Sequence, residues 1–369
     1  MNRLRNKSGS VLVFITLMIV ILMVMVGMGL DTGFLTFSRS MGQRAVDMAA
    51  LAGAAGLAKV DVNAIQSNIE QLNATNDYVK SSGNVISGAV NAGTGVGKNV
   101  TLVKYDFATN TIVSAPVSLS NANAVRVALE TTNPYSGGSS NSAVSTPAFL
   151  TPLMNLFGGG AAGANNVNVS AVATMVGQPG LPIAINGCNP AWVGTNQAIP
   201  WNQAPSGGSN PNNSGWTTYL DGSVSSPDVI ALIHKIAACQ GTGSVSVGTD
   251  ICLNNGQQNP DLREMEILIG TNTDGTPKCY LTPVVPTSTM FNGCDNKILA
   301  YAQICPLAIC GPGVNGIKNQ NLCTEDNSFG KYLFATVKSC DVGDPNKPGI
   351  TSCYSLRLVR EYNASTKNY

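Results

Sequence analysis

The longest hydrophobic pattern in the chain is a single uncharged run. Arg3, Arg5 and Lys7 precede a stretch without charge from Ser8 to Leu30, strongly apolar from Val11 onward. At about 1.5 Å rise per residue, some twenty residues cover the ~30 Å hydrocarbon core of a bilayer. A lone segment satisfies its backbone there only as a helix. Residues 11–30 are therefore predicted to be a transmembrane helix. Residues 1–10 form a basic tail on the cytoplasmic side by the positive-inside rule, and Asp31 emerges on the far side. A cleaved signal peptide carries a shorter apolar region and a small-x-small site. Gly27-Met28-Gly29-Leu30 fits such a site poorly, which favours a retained anchor.

Beyond Asp31 the chain is rich in Ala, Leu and Met with no proline before Pro116, so residues 31–58 are predicted to continue as helix. Small residues recur on it at helical spacing: Ala45, Ala49, Ala52, Gly53 and Gly56. They allow close approach of another helix and are the expected partner-helix interface. Packing on the protein's own ectodomain is the competing use of the same stripe. Ile65, Ile69 and Leu72 mark an amphipathic helix within 61–80. Alternation then predicts a hairpin (100–105 and 111–113) and strands at 124–130, 167–176 and 181–185, with a short helix at 146–157 and a polar loop at 137–142. Residues 59–186 are read as an α+β unit.

From Asn186 the texture changes. Gly, Pro, Asn and Trp cluster without period, and Pro227–Cys239 is the one clear helix. Short strands are predicted at 265–269, 280–285, 298–304, 332–337 and 354–359. All ten cysteines lie in this half: Cys188, Cys239, Cys252, Cys279, Cys294, Cys305, Cys310, Cys323, Cys340 and Cys353. An even number confined to one region points to disulfides in an oxidising compartment, with the pairing open. The expected fold is thus one transmembrane helix extended into an α-helix (31–58), an α+β ectodomain (59–186), and a β/loop-rich, disulfide-stapled region (187–369).

Composition removes several functions. Charged residues are 11% and net charge is +1, so no basic surface favours nucleic acid. His234 is the only histidine, in a helix and without an assignable nucleophile or orienting acid, so no triad can be assembled. No C-x-x-C occurs, which disfavours thiolate redox, haem or zinc chemistry. Neither Gly93-Thr-Gly-Val-Gly nor Gly158-Gly-Gly has the strand–glycine–helix context of a phosphate loop. Asp221, Ser223 and Ser225 fit D-x-S-x-S, which resembles the metal-dependent adhesion site of von Willebrand A domains and would offer hard oxygens to Mg²⁺. The preceding Trp216-Thr-Thr-Tyr-Leu220 is a poor buried strand, so a turn is the favoured reading and no metal is assigned. Trp192, Trp201 and Trp216 are placed in loops, packed against disulfides. The reading is of a non-enzymatic protein without cofactor.

The N-terminal third resembles the Tad/Flp pilus-assembly TadE/TadG-like family. The elements follow in order: the basic tail, Gly9, the span, Asp31, a turn with Arg39, Gln43 and Arg44, then Val46-Asp-Met-Ala-Ala-Leu-Ala-Gly-Ala54. The family pattern reads A-A-D-A-A-A-L-A-G-A there, so Met48 is a departure. A prepilin leader would need Glu at the fifth position after Gly9, where Phe14 stands. Val125-Arg-Val127, Thr146-Pro-Ala-Phe-Leu150, Leu156-Phe-Gly158 and Val167–Ala173 also look TadG-like, and Gly215–Gly222 and Gly248–Gly256 do so faintly. The cysteines are not part of that pattern. The resemblance implies a bitopic inner-membrane protein with a cytoplasmic N-terminus and periplasmic ectodomain. It implies a role in assembly or anchoring of a Flp-type pilus, or as a minor-pilin-like component, with other pilus components as partners. A homo-oligomer and exposure at the cell surface with the pilus are compatible with it. The alternative is a membrane-anchored or surface adhesin that binds through the Cys-rich region.

Overall fold

A computed structural model describes residues 8–76, 85–107, 109–131, 135, 143–147, 164–177, 180–201, 214–219, 222–240, 245–254, 259–272, 275–287, 291–313, 318–323, 330–342 and 353–359. These divide between two units. The first is drawn from positions up to 57, 61–174 and 358 onward, and the second from 58–60 and 175–357.

The first unit begins with α1, one continuous helix over Ser8–Leu57. Its 50 residues make it about 75 Å long. The predicted span and the predicted small-residue helix are therefore a single rod, as the absence of proline permits. α2 (Val62–Thr75) starts at Asp61, whose side chain accepts the Asn63 amide at 2.8 Å. It ends where the Asn76 amide reaches the Leu72 carbonyl at 2.9 Å. Ile65 and Ile69 are wholly buried along its inner face.

The strands of this unit follow in sequence: β1 (Val100–Asp106), β2 (Thr111–Ser114), β3 (Ala124–Leu129), β4 (Val144–Pro147), β5 (Ala164–Val167) and β6 (Val169–Gly177). The hairpin turns at Asn110, which takes the left-handed conformation (φ 54°) that asparagine tolerates. The sheet runs β15-β6-β3-β1-β2, where β15 is the strand Tyr354–Val359 near the C-terminus, and β4 pairs β5 as a separate ribbon. Every residue of β3 is buried, consistent with its central place. Thr146 and Pro147 lie in β4 rather than opening a helix, and the rest of the predicted helix falls outside the described residues, as does the 137–142 loop.

The second unit is built on eight strands: β7 (Ile183–Asn186), β8 (Asn196–Pro200), β9 (Ser214–Tyr219), β10 (Asp250–Asn254), β11 (Tyr280–Val285), β12 (Asn292–Lys297), β13 (Ala300–Cys310) and β14 (Tyr332–Ser339). Their order is β12-β10-β9-β7-β11-β13-β14-β8. All neighbours are antiparallel except β7 and β11. Two helices accompany them, α3 (Ser226–Ala237) and α4 (Asn259–Met265). The pattern put the change of texture at 186, whereas β7 already belongs to this sheet.

Two expectations are corrected here. The run predicted as a strand at 265–269 is the end of α4 followed by a 3-10 turn, Glu266–Leu268. Its buried residues, Leu262, Met265, Leu268 and Ile269, recur at helical spacing while Ile267 is exposed. The stretch judged a poor strand, around Trp216, is β9, buried at every position. Its polar groups are closed locally. Ser214 donates to the Pro200 carbonyl at 2.8 Å, Thr218 donates to the Ser223 carbonyl at 2.7 Å, and Thr217 accepts the Tyr219 amide at 2.9 Å. A satisfied hydroxyl costs little to bury, so hydropathy alone undervalues such a strand.

Candidate functional site

The site the sequence singles out is α1. From Val11 to Phe37 no described side chain is buried, and the helix is long and apolar enough to cross a membrane. Ser38 is the first buried residue among those described. From there the helix turns small residues onto its own unit.

Ala45 and Ala49 are fully buried, Gly53 and Gly56 are buried, and Ala52 is half-buried. Glycine is needed at Gly56, and Gly53 is tightly covered. A Cβ on Gly56 would lie 2.4 Å from the Ile65 backbone nitrogen, and one on Gly53 would lie 3.0 Å from Val125 Cγ1 and 3.2 Å from Ile69 Cδ1. The stripe therefore lets α2 and β3 approach α1, the intramolecular use of the pattern. Higher up, Gly42 admits Val144 and Val169, with Cβ distances of 3.0 and 3.4 Å. Gln43 donates to both Asp47 Oδ1 and the Ser170 carbonyl at 2.8 Å, which ties the helix to β6.

The open small-residue surface lies nearer the N-terminus. Gly29 and Gly33 have nothing within 4 Å of a would-be Cβ. With Met28, Thr32, Thr36, Phe37 and Ser40 they line an exposed groove on α1. Their i, i+4 spacing, which straddles Asp31 at the end of the apolar run, is the signal in the sequence that could have found it.

In the second unit all ten cysteines are paired: Cys188–Cys340, Cys239–Cys353, Cys252–Cys294, Cys279–Cys305 and Cys310–Cys323. Trp201 and Trp216 are buried and stack at 5.0 Å between centroids, with Trp216 on β9 rather than in a loop. Trp192 is half-buried in a short 3-10 turn.

Asp221 lies outside the described residues. Ser223 donates to Asp228 Oδ2 at 2.8 Å and Ser225 donates to the same oxygen, so both hydroxyls serve the first turn of α3. Those bonds, Ser225 first, hold the Asp228 carboxyl below its usual range. Among the described residues no group of three His, Cys, Asp or Glu converges. His234 is exposed on α3, with Nε2 3.4 Å from Glu264 on α4.

One carboxylate was not foreseen. Asp261 on α4 is wholly buried, accepts the Ser226 hydroxyl at Oδ1 and has no partner at Oδ2 among the described residues. Burial raises its pKa, against the Ser226 bond. It sits in the α3–α4 packing, bonded to the Ser226 hydroxyl.

Residues 9–56 match the Putative Flp pilus-assembly TadE/G-like family. The TadE/G-like segment is thus α1 almost from end to end, and it stops before α2. Comparison with curated proteins and with solved structures gave no match. The family match and the apolar helix together support a membrane-anchored, pilus-related protein.

Proposed function

We propose that this protein is a non-enzymatic component of a Flp-type (Tad) pilus, acting in its assembly or anchoring or in a minor-pilin-like role. The observation that carries this reading is the match of residues 9–56, which covers the span and the helix joined to it. In this reading the protein sits in the inner membrane with Arg3, Arg5 and Lys7 in the cytoplasm and the two folded units in the periplasm. Five disulfides suit that compartment. Its partners are other pilus components, and a homo-oligomer through the exposed part of α1 fits the same picture.

The test is a filament count by electron microscopy in a deletion strain and its complemented strain. Loss of thin pili, restored by the wild-type gene, is the expected result. Unchanged pili would remove the role and shift weight to an adhesin that binds through the disulfide-rich unit.

A further inference from the structure

Two polar contacts between described residues join α3 to α4, and a proton strengthens each of them. The first is Ser226 with Asp261. Asp261 is wholly buried, and its Oδ1 is served by the Ser226 hydroxyl. Its Oδ2 has no partner among the described residues. A buried carboxylate with an unserved oxygen opposes packing when charged and opposes it far less when neutral. The second contact is His234 Nε2 with Glu264 Oε2 at 3.4 Å. It is an ion pair only while the imidazole is protonated. One acid and one base therefore act in the same direction on the same pair of helices.

The other ionisable groups around α4 do not change over the same range. On α3, bonds from Ser225 and Ser223 hold the Asp228 carboxyl below its usual range, so it stays ionised. Lys235 lies in the last turn of α3 and Arg263 in the last turn of α4. Lysine and arginine side chains keep their charge near neutrality. Glu266, in the 3-10 turn, accepts the Lys318 amide, and the Lys318 ammonium donates to the Glu266 and Ile269 carbonyls at 3.4 and 3.3 Å. Lys331 donates to Asn259 Oδ1. Burial pushes Tyr280, which donates to the Leu268 carbonyl, up to about 12 and Tyr219 on β9 well above its ordinary value. Both phenols therefore stay neutral. The lysines hold the two ends of the α4 segment, and the seam with α3 is the part that responds to pH.

We propose that the α3–α4 seam is a two-point pH latch, closed in acid and loosened as pH rises, worked by Asp261 and His234. The Asp261 contribution is complete below 3.8 and is lost as pH rises through its raised value in the folded chain. The His234 contribution is lost over the range in which imidazole gives up its proton. Loosening lifts α4 from the core, where Leu262 and Met265 are wholly buried. The latch lies within the disulfide-rich unit and does not depend on the membrane or pilus reading.

Native-state hydrogen exchange of the full chain in detergent tests this. Opening is read by mass spectrometry at residues 263–269, corrected for the intrinsic pH dependence of exchange, with β13 as the reference. Raising pH from 4.5 to 7.5 should increase opening of α4 about tenfold relative to β13. Asp261→Asn should cut that rise to about threefold, and adding His234→Gln should abolish it. No rise in the wild type overturns the latch. So does a rise that Asp261→Asn leaves unchanged, or one that survives in the double variant. Should Asp261→Asn fail to fold, His234→Gln alone decides: it should lower the wild-type rise about threefold, and an unchanged rise overturns the two-point latch.

Discussion

Single side chains in this protein close backbone groups that the strands leave open. Asn123 accepts the Tyr105 amide at 2.7 Å and donates to the Tyr105 carbonyl at 2.9 Å, and Asn99 accepts the Ser87 amide while donating to the Ala128 carbonyl. Tyr301 donates to the Val245 carbonyl at 2.7 Å and Tyr280 to the Leu268 carbonyl at 3.0 Å. Tyr301→Phe should cost about 1–3 kcal/mol by stranding a buried carbonyl, read as a lower midpoint in denaturant. Burial pushes Tyr280 up to about 12. Folding thus favours the neutral phenol, and that contribution is complete below the ordinary value of 10.0 and fades as pH rises toward 12. Asp261 follows the same sign at the acid end. Its raised pKa means that ionisation above the model-compound value of 3.8 opposes folding. Asp261→Asn should raise the melting temperature at pH 7, and the gain should shrink toward pH 4. A loss of stability at pH 7 instead would mean that the ionised carboxylate is needed. None of these partners was legible in the sequence, because local spacing places asparagine, tyrosine and aspartate on an element and carries no record of the carbonyl or hydroxyl that the fold brings within about 3 Å.

At the scale of elements, small residues change meaning along one helix. Gly53 and Gly56 are covered by β3 and α2, whereas Gly29 and Gly33 are open. Gly53→Leu should therefore destabilise the first unit by about 1–3 kcal/mol or more, through overpacking against Val125 and Ile69. Gly33→Leu should leave its thermal midpoint unchanged. Equal midpoints in detergent for wild type and Gly53→Leu would show that β3 does not lie against this face. Helical spacing alone could not separate the two cases, since it records which residues share a face and not what covers the face. The bidentate pair of Arg126 on β3 with Glu130 just past its end, at 2.8 and 2.9 Å, is a similar case. Period-two alternation put both residues on one face, and only the tertiary environment buries them as a pair.

At the scale of the molecule, all cross-links are in one unit. Every disulfide joins residues between Cys188 and Cys353, and the two longest loops span 152 and 114 residues. Loss of a native disulfide costs about 2–5 kcal/mol in small extracellular domains. Under reductant, limited proteolysis should cut within 175–357 first, while the 61–174 fragment persists. Equal digestion of both would count against independent units. Replacing Cys239 and Cys353 with Ser should lower the thermal midpoint more than the same change at Cys310 and Cys323, whose loop spans only 13 residues.

The sequence alone determined the helix. Twenty apolar residues bounded by charge, followed by thirty without proline, leave the backbone one way to satisfy itself, and α1 is that solution. It also determined the hairpin of β1 and β2, α3 and the presence of disulfides, because alternation, a proline at the first turn and an even cysteine count are local signals. Tertiary structure alone decided which cysteine meets which, and that a Ser-Gly-Trp-Thr-Thr-Tyr segment lies buried in mid-sheet. It alone decided that Met265–Leu268 continues a helix, and how far α1 stands clear of its own unit. Those outcomes depend on partners distant in the chain, and residue spacing carries no record of what packs against it.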